Sequence, residues 1–315
     1  MNKVHSSHYR LQNFLHTLLL LSGMLLLLAA IGWLIAGTVG VVWSLLMGML
    51  LTITAPRLTP HLILYLYGAR LLPNQLSEKL SEIITWLTTN SHLPQKPKLY
   101  YIPSSIMLAF TVGRNNDTAI AISDGLLRQL NIREITAVLA HEISHIKSKD
   151  LWVMSIADII SRLTSLMALV AYMMIIFYIP VYIFEGLKIP YVLIILLLLA
   201  PIASSLMQLA LSRTREFNAD VQAVKLTGDP DGLISALLKI DQYEKSLIKQ
   251  MFSPNIKTPG PSLLRTHPVT EERIQRLTLI TEAKHQPFTS LELNHLLDNT
   301  LSHRKPKRHI SGLWH

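Results

Sequence analysis

The apolar positions of this chain gather into long uncharged runs, with polar segments between them. From Arg10 to Arg57 no Asp, Glu, Lys or Arg occurs. A bilayer core of about 30 Å takes a helix of about 20 apolar residues, so this run suits two crossings joined by a tight turn. The pattern predicts spans at 14–36 and 39–55, turning around Gly37 to Gly40. A cleaved signal peptide is the alternative for the first, but the run is too long for an h-region and no clean small-x-small site follows. Residues 163–184 and 189–212 are likewise uncharged, and the short connection Glu185-Gly186-Leu187-Lys188 predicts a second hairpin.

The polar segments carry other periods. At 76–89 the apolar residues Leu76, Leu80, Ile83, Ile84 and Leu87 line one face of an amphipathic helix, which Pro94 and Pro97 end. Residues 98–102, 106–112 and 118–122 read as short strands, with Gly113 to Asp117 as the turn between the last two. An edge strand of such a sheet could hold an extended peptide by main-chain hydrogen bonds, and a purely structural hairpin is the equal alternative. Ser123-Asp124 starts a short helix to Leu130, and Asn131 with Glu134 forms a capping box ahead of Ile135, Val138, Leu139, Ile143 and Ile146 at helical spacing. Lys147, Lys149 and Asp150 read as a solvated face, and Asp158 with Arg162 as a surface ion pair. Gly228-Asp229-Pro230-Asp231 is a turn and cap for a helix at 233–240.

Composition agrees with a membrane protein. Of 315 residues half are hydrophobic and 16% charged, and mean hydropathy is +0.35. The absence of cysteine excludes disulfides and thiolate ligands, so a metal site must use His and carboxylates. The formal charge of +9 could suggest nucleic acid. Its distribution argues otherwise: Lys and Arg crowd the segments from Arg57 to Lys149 and after Ser212, and the hairpin turns hold almost none. By the positive-inside rule both polar regions and both termini are cytoplasmic. The expected organisation is an N-terminal transmembrane hairpin (1–56), a catalytic region with small sheet (57–150), a second hairpin (151–212), a second catalytic region (213–281) and a basic tail (282–315).

Chemistry enters at His141-Glu142-Ile143-Ser144-His145. On a helix, two imidazoles four residues apart leave the same face and can share a metal ion, with Glu142 placed as general base. Two histidines leave the ion under-coordinated, and the longer pattern with a third histidine is absent. Glu216, close behind the fourth span, is the favoured third ligand over Glu78, Glu82, Glu134, Glu244, Glu271 and Glu272. Asp220, one turn on, could orient a ligand ring. The alternative for both is a charged helix start flanked by Arg213 and Arg215 as interfacial anchors. Glu216 stands about 6 Å along a helix from Ser212, so the metal should lie at the membrane surface. His267 and Arg273 are candidate donors to a developing oxyanion.

Taken together these features resemble the HtpX-type membrane zinc metalloproteases, relatives of the CAAX prenyl endopeptidases, over about residues 11–277. Ala109-Phe110 with Gly113-Arg114, the H-E-x-x-H stretch, Arg213 to Asp220, and Thr266-His267-Pro268 with Arg273 carry the resemblance. It implies a mainly α polytopic membrane protein with four transmembrane helices and a zincin-like α+β catalytic domain. It also implies one Zn2+ per chain on His141, His145 and Glu216, with Glu142 as base and Asp220 in support. His267 and Arg273 would then stabilise the tetrahedral intermediate, and Leu108, Ala109 and Phe110 would form the substrate strand. Leu108 stands where the family usually has Asn, which removes an amide from that strand. The implied partners are the lipid bilayer and polypeptide substrates, chiefly membrane or misfolded proteins in quality control at a bacterial inner membrane, with no nucleic acid. Two rivals remain at this point: a non-catalytic zinc-binding membrane adaptor, and an intramembrane protease drawing its third ligand from residues 228–232.

Overall fold

In the computed structural model, residues 3–72, 74–114, 117–185, 191–251 and 270–282 are described. Helix α1 (Lys3–Leu66) leaves helical geometry at Ala36 and Gly37, where Gly37 takes a φ of 60°. The chain folds back there: a Cβ on Gly40 would stand 1.9 Å from the Gly32 carbonyl oxygen. The glycine pair thus allows two backbones to touch, and the expected first turn lies where the pattern placed it. Among the described residues three helices are long and apolar enough to cross a membrane, through Asn13–Thr54, Asp150–Phe177 and Ile194–Thr227, and the first is this folded-back one.

The other two are α5 (Asp150–Glu185) and α6 (Tyr191–Thr227). Both extend well beyond their uncharged runs. Asp158 and Arg162 pair at 2.8 Å, as their spacing predicted, so the charge is neutralised on the helix surface. Met24 and Leu28 of α1 pack with Ala157 and Ile160 of α5 and Leu211 of α6. Ile31, Ala171, Leu197 and Ala200 form a second layer. Leu19, Leu26, Trp33, Phe177 and Leu198 face outward, as a lipid-facing surface requires.

In chain order helix α2 (Asn74–Ser91) lies between the first and second strands of a four-stranded sheet. Its strands are β1 (Arg70–Leu71), β2 (Lys98–Ile102), β3 (Ala109–Arg114) and β4 (Asp117–Ser123), in the order β1-β2-β4-β3. β4 runs parallel to β2 and antiparallel to β3. Because β4 inserts between them, β3 is an edge strand. Side chains alternate across β4: Ile120 and Ile122 enter the main core, and Ala119 and Ala121 face Leu64, Ile102 and Val112.

The main core closes around α4 (Ile132–Ser148), which follows the short α3 (Asp124–Gln129). Leu139 and Ile143 are fully buried among Ile84 and Leu87 of α2, Ile120 of β4, and Ala236 and Leu237 of α7 (Pro230–Met251). Truncating either to Ala would cost about 2–5 kcal/mol. Leu277 of α8 (Thr270–Glu282) completes this core.

Candidate metal centre

The centre is built on local rules first. Asn131 accepts from the Glu134 N–H at 2.9 Å and Glu134 accepts from the Asn131 N–H at 2.9 Å, so the expected capping box starts α4. Such a cap contributes about 1 kcal/mol. Glu134 is thereby occupied, and it also accepts from Ser235 at 2.6 Å and Lys239 at 2.8 Å. Continuous α6 carries Glu216 and Asp220 on one face toward α4. The Nε2 atoms of His141 and His145 stand 3.1 Å apart. Glu216 lies 3.4 Å from His141 Nε2 and 3.5 Å from His145 Nε2 through its two oxygens. Among the described residues these three form the one group able to hold a metal ion.

The outer ring atoms decide which nitrogens face inward. His145 Nδ1 is 2.9 Å from Asp150 Oδ2, and His141 Nδ1 is 2.9 Å from Asp220 Oδ1, the latter poorly aligned for a hydrogen bond. A carboxylate against each Nδ1 keeps the N–H there and turns the Nε2 lone pair toward Glu216. Three lone-pair-bearing atoms at this spacing repel unless a cation lies between them. Tetrahedral ligands bound at about 2.0–2.2 Å stand about 3.3–3.6 Å apart; the two carboxylate–imidazole separations of 3.4 and 3.5 Å lie in that range, and the 3.1 Å between the imidazole nitrogens is slightly shorter. The residues fit a zinc-type ion. In the metal-free protein a proton substitutes: burial works to lower the His141 pKa, but the adjacent carboxylates of Asp220 and Glu216 raise it to about 10.

Residues 74–281 match the model of peptidase family M48. This chain belongs to that family. It is 33% identical over 281 residues to a protease HtpX homolog of Campylobacter concisus, covering 83% of this chain and 94% of that protein. To protease HtpX of Legionella pneumophila it is 34% identical over 281 residues, covering 84% and 98%. Its fold is shared with the crystal structure of S. mikatae Ste24p at a TM-score of 0.53 and 23% identity, over 86% of this chain and 67% of that one. It is therefore an HtpX-type M48 metalloprotease, and its apolar helices make it a multi-pass membrane protein.

Within this M48 centre Glu142 is buried beside the ligands, and its Oε2 accepts from the Thr111 hydroxyl at 2.6 Å. Thr111 pairs with Ile120 in the sheet and so faces α4. Leu108 and Phe110 pack on the opposite face with Tyr67 and Val112. The Leu108 N–H donates to Ser123 Oγ and its carbonyl accepts from the Ser123 N–H, both at 2.9 Å. Antiparallel alternation then turns the main-chain groups of Ala109 and Thr111 to the free edge, where the described residues place no further strand.

Arg273 is buried with its guanidinium clamped on Asp220, Nε to Oδ2 at 2.8 Å and Nη2 to Oδ1 at 2.6 Å. Its Nη1 is 3.3 Å from Glu216, so it engages both the candidate ligand Glu216 and the supporting carboxylate Asp220. Arg276, over the Phe217 ring at 3.7 Å, ties the same helix to α6. His267 lies outside the described residues. Asp229, one of two carboxylates in the 228–232 segment of the intramembrane alternative, caps α7 through the Gly232 N–H at 3.0 Å and accepts from Arg133 Nη2 at 2.6 Å. It is not in the metal group.

One reading from the sequence needs correction, and one alternative is set aside. Asp150 is not on a solvated face: it is 2% exposed and orients His145. Lys149 takes a left-handed φ of 56° as the C-cap of α4, and this turn directs the first residue of α5 back at the ligand. Nor does Arg215 point outward as an interfacial anchor, since its Nη1 donates to Asp150 at 3.0 Å. Thr111 was missed altogether. Its one legible signal is its place in the strand before the H-E-x-x-H helix, on the face opposite Phe110.

Proposed function

We propose that this protein is a zinc-dependent endopeptidase that cleaves membrane or misfolded polypeptides at the cytoplasmic face of a bacterial inner membrane, in protein quality control. The observation that carries the reading is the His141–His145–Glu216 triangle with Glu142 buried beside it. The proposed topology has four crossings, two of them within α1 on either side of Gly37, with both termini cytoplasmic; the distribution of Lys and Arg supports it.

His141, His145 and Glu216 hold the zinc, and Asp220 and Asp150 fix the two rings. Zinc bound there supplies Lewis acidity toward a carbonyl and toward water. The Thr111 hydroxyl occupies Glu142 Oε2, so Oε1 is left to take a proton from the attacking water and return it to the leaving amine. An extended substrate adds to β3 through the main chain of Ala109 and Thr111. Leu108, tied to Ser123 and packed on the far face, contributes apolar support to the strand rather than a side-chain grip. Arg273 neutralises Asp220 and Glu216, and the roles proposed for Arg273 and His267 as donors that stabilise the tetrahedral intermediate rest on the family resemblance.

The test uses full-length protein purified with chelator present. Zinc is then added, and cleavage of an unfolded polypeptide is compared between wild type and Glu142→Gln. Loss of cleavage by roughly 10²–10⁴-fold with zinc still bound is expected. Equal cleavage by both proteins removes the catalytic reading. One bound zinc with no cleavage by either favours the adaptor.

A further inference from the structure

The folded-back helix α1 lies outside the residues matched to the family, yet it reaches the metal centre through an unbroken chain of polar contacts. His145 Nδ1 meets Asp150 Oδ2 at 2.9 Å. Asp150 Oδ1 accepts from Arg215 Nη1 at 3.0 Å. Arg215 Nη2 donates to Thr17 Oγ1 at 2.7 Å. Thr17 gives its own hydroxyl proton to the Asn13 carbonyl at 2.7 Å, so its oxygen faces Arg215 as an acceptor. A parallel link runs beside it: Asn13 donates to Asn218, and Asn218 to Ser148 at the end of α4, each at 3.3 Å.

We propose that α1 is a working part of the metal centre, with Thr17 and Arg215 acting through Asp150 as positioning residues for the ligand His145. Burial gives the chain its force. Thr17 and Asp150 are both buried, and the Arg215 Nε is buried with no hydrogen-bond partner among the described residues. An arginine near the membrane boundary could extend toward water instead, relieving that loss. It is held inward by the two contacts at its other nitrogens. An ionised Asp150 can only accept, so His145 Nδ1 must donate to it and Nε2 must face the metal. If Thr17 loses its acceptor, Arg215 Nη2 is stranded in a buried site and the guanidinium shifts away from Asp150. The His145 ring is then free to turn. The residue that sets this geometry is nearly 200 positions from its partner, on a helix that composition reads as an anchor.

This rests on the metal reading of the site, and the experiment separates the two. Full-length protein in lipid nanodiscs is loaded with zinc, and metal retention is measured by chelator competition. The visible spectrum of the Co2+-substituted protein reports ligand geometry. Arg215→Gln is expected to weaken metal affinity roughly 10- to 100-fold, and Thr17→Val, one contact further out, roughly threefold to tenfold, with an altered cobalt spectrum. Thr17→Ser, which keeps the acceptor, and Ser22→Ala, which removes an exposed hydroxyl from the same helix, should match wild type. Wild-type retention and spectrum in Thr17→Val overturn the proposal. So does a Thr17→Ser defect as large as that of Thr17→Val, because packing and not the hydroxyl would then be responsible. A wild-type protein that binds neither metal overturns the reading of the site as well.

Discussion

Arg273 offers a quantitative test of how the centre is held together. Its guanidinium makes two charge-assisted bonds to Asp220 and stands 3.3 Å from Glu216, with 4% of its surface exposed. In metal-free protein it and His141 face three buried carboxylates, Glu142, Glu216 and Asp220. Arg273→Met keeps much of the side-chain volume and removes the charge, leaving Asp220 without its main partner. Breaking a buried pair in this way costs about 3–5 kcal/mol, because the remaining charge is desolvated and uncompensated. For a cooperative unit of about 150–250 residues each kcal/mol moves the midpoint by about 2–4 °C, so a fall of roughly 6–20 °C is expected. Thermal unfolding in detergent with chelator present, followed by tryptophan fluorescence, measures it. The decisive comparison is Arg273→Met with Asp220→Asn in the same chain. The neutral amide carries no stranded charge and should restore a large part of the loss. A midpoint shift below about 3 °C in the single variant, or no recovery in the double, would refute this account of the clamp.

Three further outcomes follow from the same geometry. Thr111→Val removes the 2.6 Å bond to Glu142 and should lower kcat about tenfold with KM little changed and zinc content intact, measured by peptide cleavage and metal analysis. Because the folded pKa of His141 is raised from 6.5 to about 10, this group should contribute stability to metal-free protein that is fully present below pH 6.5 and lost as pH rises through 10. The loss should vanish when zinc displaces the proton, which thermal midpoints across pH with and without zinc will show. Gly40→Ala places a Cβ 1.9 Å from the Gly32 carbonyl oxygen, so the α1 hairpin must open. Reduced yield of folded protein and faster proteolysis between the two halves of α1 are expected.

Much of this molecule is written in local patterns. The uncharged runs, the turn at Gly37, the capping box at Asn131 and the strand 98–102 depend on residues within a few positions of one another, so periodicity and turn chemistry expose them. The same holds for His141 with His145, and for Glu216 with Asp220, because a helix turn puts residues four apart on one face. That the two pairs meet was inferred from coordination number rather than from any local signal, and the closure of α6 against α4 is what brings them to 3.4 Å. The strand order, which leaves β3 at the edge, and the short β1 were not legible, since pairing partners lie far apart in sequence. Asp150, Arg215 and Thr17 show the limit most clearly. By composition they are a surface acid, an anchoring base and a hydroxyl in a membrane helix. Only the packing of α1, α5 and α6 buries them together, and a buried charge must take whatever partner the tertiary fold supplies.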